Sequence, residues 1–269
     1  MRVEKSADPY DWENAENIVA FNYSDVYKDW YAPEIFFVDG HWYIYAAPTV
    51  EAGSVNHRMC VLKSVTDDAM GEWQNLGVMS GMIESQQLNI DGTYFEYNGQ
   101  KYFVWTTEGE LLVDKLADDM LTLSGNPVSV CKADYDWEKR KYNLVEGPAI
   151  LQHNGRVFMT YSANDSNSDY YCIGLLSLKE GGDPMNASDW FKNPEPVLDS
   201  VTDGDMKIYG PGHNSFTKIY ENGNEVDCIT YMGNLVSGSG WAGRNTFIQQ
   251  ISWDSNGNPV FMKPSAYVK

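Results

Sequence analysis

The sequence is poor in cysteine, in positive charge and in long apolar runs. Nineteen Lys and Arg face 38 Asp and Glu, and the resulting net charge of −19 speaks against a nucleic-acid partner, whose phosphates need a basic face. No apolar run is long enough for a membrane helix, and no signal peptide is visible. We therefore expect no membrane partner, and a cytoplasmic location for the chain as given, or secretion if further sequence precedes Met1.

The few cysteines also exclude some chemistry. They form no CxxC pair, so a zinc site or a thioredoxin-like motif is not expected. A buried free thiol behaves as a small hydrophobe, and we expect free thiols in the core. The four residues are Cys60, Cys131, Cys172 and Cys228.

Helical periodicity is nearly absent as well, and a repeated hairpin takes its place. Residues 32–45 read as a strand, a tight turn at Asp39-Gly40 and a second strand, because Asp-Gly and Asn-Gly supply the positive φ that such a turn needs. Three later copies centre on Asn98-Gly99, Asn154-Gly155 and Asn222-Gly223, with the glycines 59, 56 and 68 residues apart. Hairpin repeats of this length predict propeller blades.

Each hairpin is followed by two further predicted strands, so each repeat reads as a four-stranded antiparallel blade. The predicted fourth strands include residues 73–79, 126–130 and 195–198. The predicted blades are 32–80, 90–131, 146–198 and 212–261, in a single domain of residues 1–269. Residues 1–20 resemble the third and fourth strands of one more blade, at 2–6 and 12–19. The prediction is an all-β, five-bladed propeller whose first blade lacks its two inner strands.

The starts of the predicted inner strands carry polar side chains. In a propeller these strands begin near the axis, so Asp91, Glu146 and His213 are expected to converge on one pocket. Two carboxylates across a sugar site are the working parts of glycoside hydrolysis. The alternative for each acid alone is that it caps a turn or accepts a backbone hydrogen bond.

These stretches resemble glycoside hydrolase family 43, whose members are five-bladed propellers acting on arabinose- and xylose-containing polysaccharides. The resemblance runs through the whole chain in order, and the segments 134–138 and 56–59 are most similar to the branch of exo-acting α-L-arabinofuranosidases. The stretches that carry it are residues 30–35, 90–95, 146–150, 210–216 and 244–253.

The resemblance implies a role for each site residue. Glu146 would be the general acid, and Asp91 would hold it in place and keep it protonated. His213 would reach a central calcium or other cation whose shell water completes, unless it is a hydrogen-bonded core histidine. Arg244 would hydrogen-bond a sugar hydroxyl, and Trp30 would form a wall of the sugar pocket. An exposed loop arginine and a packed tryptophan are the alternatives for these last two.

The family's general base, an aspartate in an Asp-Pro motif before the first hairpin, has no counterpart. Asp8-Pro9 is not followed by a hairpin, and we interpret it as the loop between two outer strands. Three explanations are open: the chain begins late, it is an impaired relative that still binds sugar, or Glu34 or Asp29 has taken the role.

The sequence therefore predicts a glycoside hydrolase for arabinose- or xylose-containing saccharides, most similar to an inverting exo-α-L-arabinofuranosidase. Endo-arabinanase and β-xylosidase are the alternatives within the family. A non-catalytic carbohydrate-binding propeller and a structural interaction propeller are the alternatives outside enzymology.

Overall fold

A computed structural model of the chain describes residues 1–22, 27–51, 55–203, 206–221 and 223–264. Within them the regular structure is almost wholly strand, with three short 3-10 turns at Asp136–Lys139, Ala187–Asp189 and Gly240–Gly243. The strands are β1 (Arg2–Lys5), β2 (Glu16–Val19), β3 (Lys28–Val38), β4 (His41–Thr49), β5 (Cys60–Ser64), β6 (Trp73–Val78), β7 (Ile90–Tyr97), β8 (Gln100–Thr107), β9 (Glu110–Lys115), β10 (Val128–Cys131), β11 (Val145–His153), β12 (Arg156–Ala163), β13 (Cys172–Leu178), β14 (Trp190–Lys192), β15 (Tyr209–Glu221), β16 (Asn224–Asn234), β17 (Arg244–Trp253) and β18 (Pro259–Phe261).

Sixteen of these strands form four sheets of four, each in sequence order, and we call them blades. Blade I is β3 to β6, blade II β7 to β10, blade III β11 to β14 and blade IV β15 to β18. The all-β propeller prediction is confirmed, but the predicted number of five blades is wrong, because the described residues form four. The reason lies in β1 and β2, which among the described strands pair only with each other, from Arg2 opposite Val19 to Lys5 opposite Glu16. Asp8 and Pro9 lie in the loop between them, as interpreted from the sequence.

The hairpin turns have the backbone that the repeat predicts. Asp39-Gly40 has φ values of 49° and 81°, Asn98-Gly99 of 51° and 74°, and Asn154-Gly155 of 50° and 76°. Positive φ at both central positions matches the right-handed twist of the flanking strands. In the fourth turn Gly223 has φ 80°, while Asn222 lies outside the described residues.

A second repeated feature lies near the start of every inner strand. At one shared place in all four strands a residue has a left-handed backbone and the register slips by one, which is a β-bulge, and β3 and β15 have a further bulge of this kind at Asp29 and Gly210. The residues at the shared place are Ala32 (φ 40°), Asp91 (φ 55°), Gly147 (φ 57°) and His213 (φ 47°). The bulge turns the backbone, so it sets the direction in which neighbouring side chains leave the strand.

One predicted strand is misplaced. The fourth strand of blade III was expected at 195–198, whereas the structure has it at Trp190–Lys192, and Leu198 forms only an isolated bridge with Ile173. Trp190 explains the difference, because its ring is buried and its indole N–H donates to the Pro184 carbonyl at 3.0 Å. Burial of the aromatic ring places this strand earlier in the chain.

Contacts divide the chain into two compact units. Unit 1 contains residues 1–108 and 114–127, and unit 2 contains residues 109–113 and 128–269. The single domain over residues 1–269 stays a prediction.

No helix among the described ranges is long and apolar enough to cross a membrane. All four cysteines are free and buried, as expected, and burial raises the pKa of the Cys60 thiol to about 12.

A buried ion pair anchors the 134–138 segment in unit 2. The Glu138 side chain is fully buried and accepts from the backbone N–H groups of Asp134 at 2.6 Å and Tyr135 at 2.7 Å. It also accepts from the Tyr161 hydroxyl at 2.6 Å and the Lys192 ammonium at 3.0 Å. The segment that carried the subgroup resemblance therefore has a structural part in blade III.

Candidate active site

Glu146 is held by the entry to blade III. It is the second residue of β11, half-buried, and directly precedes the left-handed Gly147. The hydroxyl of Tyr171 donates to its Oε1 at 2.7 Å. This short hydrogen bond fixes the orientation of the carboxyl group.

Tyr171 is itself fixed by glycine. Its side chain is 1% exposed, and a Cβ atom built on Gly212 would lie 2.0 Å from its Cε1 atom. Only glycine at 212 leaves room for the ring. The Gly-Pro-Gly-His segment thus shapes the site one residue before its histidine.

His213 packs against Gly147 and belongs to the same group. A Cβ on Gly147 would lie 3.1 Å from the His213 Nδ1 atom, and the His213 backbone N–H donates to the Ser162 hydroxyl at 2.7 Å. Burial lowers the pKa of the imidazole; Glu146 opposes this shift and Arg244 adds to it. The ring is therefore neutral at pH 7 and offers a nitrogen lone pair.

Asn214, the next residue, carries an unusual amide. Its side chain is 1% exposed, and neither Oδ1 nor Nδ2 has a hydrogen-bond partner within the described part of the chain. Leaving a buried amide unpaired costs about 1–3 kcal/mol, so such a group points to a bound water or ion.

Arg244 is the first residue of β17 and is half-buried. Its Nη2 donates to the Ser166 carbonyl at 2.8 Å, and its guanidinium carbon lies 5.9 Å from the centre of the Tyr171 ring. Unit 2 thus brings Glu146, His213 and Arg244 together around Tyr171. The structure places three of the five predicted residues in one group.

The other carboxylate, Asp91, belongs to unit 1. It is 6% exposed, has the left-handed backbone of its bulge and accepts from the Thr106 hydroxyl at 3.4 Å. Burial, and secondly the charge of Asp91, raise the pKa of Glu34 to about 8. Since Asp91 and Glu146 lie in different units, the convergence of all the blade starts on one pocket stays a prediction.

The stability of the protein is expected to fall as pH rises from about 4.5 to about 8, because Glu34 titrates at the usual 4.5 when unfolded and at about 8 when folded. Between pH 4.5 and pH 8 the folded state binds one proton more than the unfolded state. The stabilisation by protonated Glu34 is therefore complete below pH 4.5 and is lost as the pH rises to about 8. Urea unfolding of the wild type and Glu34→Gln at pH 6 and pH 9 checks this. The glutamine variant should gain relative to the wild type at pH 9, and parallel curves would contradict the assignment.

Trp30 lies in an aromatic group of unit 1. Its ring centre is 5.4 Å from that of Phe21 and 6.0 Å from that of Tyr27, and it packs against a cluster that includes Leu62. Its indole N–H is buried with no hydrogen-bond partner among the described residues. Its place in the packing supports the alternative reading of a structural tryptophan, while its role toward a sugar stays a prediction.

Tyr171 is the residue of this group that the sequence did not predict. It reads as the residue before an apolar strand, and nothing local marks it as a partner of Glu146, 25 positions away. The glycine at 212 was the available signal, but its meaning depends on which ring fills the space.

An all-β propeller fold with a half-buried carboxyl that a hydroxyl orients, next to a histidine and an arginine, has the kind of group that carboxylate-dependent glycosidases use as an acid. The model of the glycosyl hydrolases family 43 matches residues 1–259. The chain therefore belongs to this family, as its motifs indicated.

Several relatives and solved structures of this family are similar to the chain. An extracellular exo-α-(1→5)-L-arabinofuranosidase of Streptomyces avermitilis is 35% identical over 88% of this chain and 50% of its own length. Alpha-L-arabinofuranosidase 43 of Humicola insolens is 33% identical over 87% of the chain and 50% of its own length. The chain thus spans about half the length of these curated relatives. The crystal structure of an α-L-arabinofuranosidase from Lactobacillus brevis superposes with a TM-score of 0.84 at 29% identity, covering 96% of this chain and 85% of that one.

Proposed function

We propose that the protein is an exo-acting α-L-arabinofuranosidase that cleaves terminal arabinose with inversion, and that Glu146 is its general acid. The observation that carries the proposal is the Tyr171 hydrogen bond to Glu146, at 2.7 Å, in a chain of this family. An acid must present its proton in a fixed direction to the leaving oxygen, and an oriented, half-buried carboxyl suits that task. The relatives named above support the choice of sugar.

The remaining residues have roles that follow from their chemistry. Arg244 presents a planar guanidinium whose N–H donors suit sugar hydroxyls. The hydrogen bond from its Nη2 to the Ser166 carbonyl, at 2.8 Å, holds this group in place. For Asp91 we propose the role that the resemblance implies, in which it would hold the acid in place and keep it protonated. This assignment requires Asp91 and Glu146 to share the substrate, as the repeat predicts.

Inversion also needs a general base on the opposite face of the sugar, about 6.5–9.5 Å from the acid. Glu34 does not suit that role at neutral pH, because a carboxyl with a pKa of about 8 keeps its proton there. Asp29 is exposed and lies at a left-handed position of β3, with φ 49°, which leaves its carboxylate accessible as the other candidate.

We also propose a cation, calcium or another, held by His213 with water as most of its shell. The neutral imidazole and the unpaired Asn214 amide support it, since an amide oxygen is a common ligand of hard cations. No group of three His, Cys, Asp or Glu side chains able to hold a metal occurs in the ranges described, so the proposed cation would depend on water for most of its ligands. A bound cation would add positive charge beside the acid and the substrate.

Assays on two aryl glycosides test the choice of sugar. We expect release of nitrophenol from the α-L-arabinofuranoside and little from the β-D-xyloside. The reverse preference would overturn the arabinofuranosidase assignment. Calorimetry with arabino-oligosaccharides runs beside the assay, and saturable binding without any product would favour the carbohydrate-binding alternative.

A further inference from the structure

Trp241 is a large aromatic side chain left open to solvent beside the site. Its residue is 63% exposed, compared with 54% for Trp12, and it lies in the 3-10 turn Gly240–Gly243 that leads directly into Arg244. This degree of exposure needs an explanation, because a tryptophan side chain is a large apolar surface that folding normally buries. The hydrogen bonds given above for Glu146, His213 and Arg244 do not involve this ring.

The exposed ring is nevertheless held in place. Its indole N–H donates to the Ser166 hydroxyl at 3.2 Å, and its backbone N–H donates to the Asn167 side chain at 2.9 Å. The adjoining turn is tied to the same loop, since the Gly238 N–H donates to Asp169 at 2.9 Å. A ring fixed before binding loses little conformational freedom when a ligand covers it.

Contacts within unit 2 connect this ring to the acid. Ser166 accepts from Trp241 through its hydroxyl and from Arg244 through its carbonyl, so both side chains meet at one residue. The Arg244 guanidinium in turn lies against Tyr171, which donates to Glu146. Trp241 is therefore at the rim of the Glu146 group, one step beyond the arginine.

We propose that Trp241 is a stacking platform for the sugar residue next to the one whose linkage Glu146 protonates. The apolar C–H face of a sugar ring covers an exposed indole, while its hydroxyls stay in water. The ligand class is a neutral arabino-oligosaccharide of two or more residues. This inference rests on the proposed function and adds to it a second sugar site.

Calorimetry in the Glu146→Gln background, where cleavage of the saccharide is expected to be slow, tests the proposal with arabinotriose and with free arabinose. Trp241→Ala should weaken arabinotriose binding about tenfold, or about 1.4 kcal/mol, and leave arabinose binding unchanged. Trp241→Phe keeps a ring and should lose less. Trp12→Ala, at the other exposed tryptophan, should change neither affinity, and melting temperatures establish that each variant is folded.

Equal arabinotriose affinity with and without the Trp241 ring would overturn the platform while leaving the enzyme assignment intact. Loss of self-association in Trp241→Ala with unchanged saccharide affinity would also overturn it, because the ring would then serve a second copy of the chain. Absence of any saccharide binding to the Glu146→Gln parent would instead overturn the proposed function, and this inference with it.

Discussion

In the Glu146→Gln variant, cleavage of a saccharide or alkyl arabinofuranoside is expected to slow by about 10²–10⁴-fold, the usual contribution of general acid catalysis. The amide can still accept the Tyr171 hydroxyl, which donates to Glu146 Oε1 at 2.7 Å, so the local geometry is kept while the proton is lost. A nitrophenyl arabinofuranoside should suffer much less, because nitrophenolate leaves without protonation. Initial rates on both substrates measure the difference.

Tyr171→Phe is the matched control for this prediction. It keeps the carboxyl group and the ring that fills the space over Gly212, but removes the hydroxyl that orients Glu146. Its loss should be smaller than that of Glu146→Gln and should again be greater for the poor leaving group. Equal losses on both substrates in Glu146→Gln would remove Glu146 from the acid role.

Glu138→Ala is expected to reduce the free energy of unfolding by about 3–5 kcal/mol, the cost of breaking a buried ion pair from one side. Lys192 is only 12% exposed in its side chain and would keep its charge without this partner, while the Asp134 and Tyr135 amides would lose their acceptor. Urea unfolding at constant pH measures the loss.

Glu225→Ala provides the control at the surface. Glu225 pairs with Lys218 at 3.0 Å, but the two side chains are 49% and 59% exposed, and solvent screens such a pair, so its loss should change the free energy of unfolding little. A second replacement, Lys192→Met, made in Glu138→Ala should recover part of the loss, because it removes a largely buried charge whose remaining ion-pair partner is the exposed Asp134, at 3.2 Å. A loss in Glu138→Ala no larger than in Glu225→Ala would contradict the buried role.

The parts of the fold that were predictable are those with a local signal. Asn98-Gly99 and Asn154-Gly155 require a turn whatever surrounds them, and counting such turns located the blades. The number of blades was wrong because two strands at one end of the sequence resemble half a blade, and sequence similarity does not state whether they complete one. The fourth strand of blade III was misplaced because the burial of Trp190 outweighed the β-forming pattern at 195–198.

The candidate site divides in the same way. Glu146 and His213 were found because they recur at equivalent places in the repeat, which is information carried along the chain. Tyr171 and Gly212 meet across 41 positions, and neither residue type alone indicates the other. The pairing of Glu138 with Lys192, 54 positions apart, was hidden for the same reason.

The bulge at the start of each inner strand separates backbone geometry from side-chain identity. Blades I to IV adopt the same left-handed turn with alanine, aspartate, glycine and histidine, so the turn does not depend on the chemistry it displays. Aspartate, asparagine and histidine tolerate this conformation better than alanine does. Replacing Ala32 by aspartate or asparagine would therefore relieve backbone strain and, in the same substitution, add a polar side chain at the bulge of blade I.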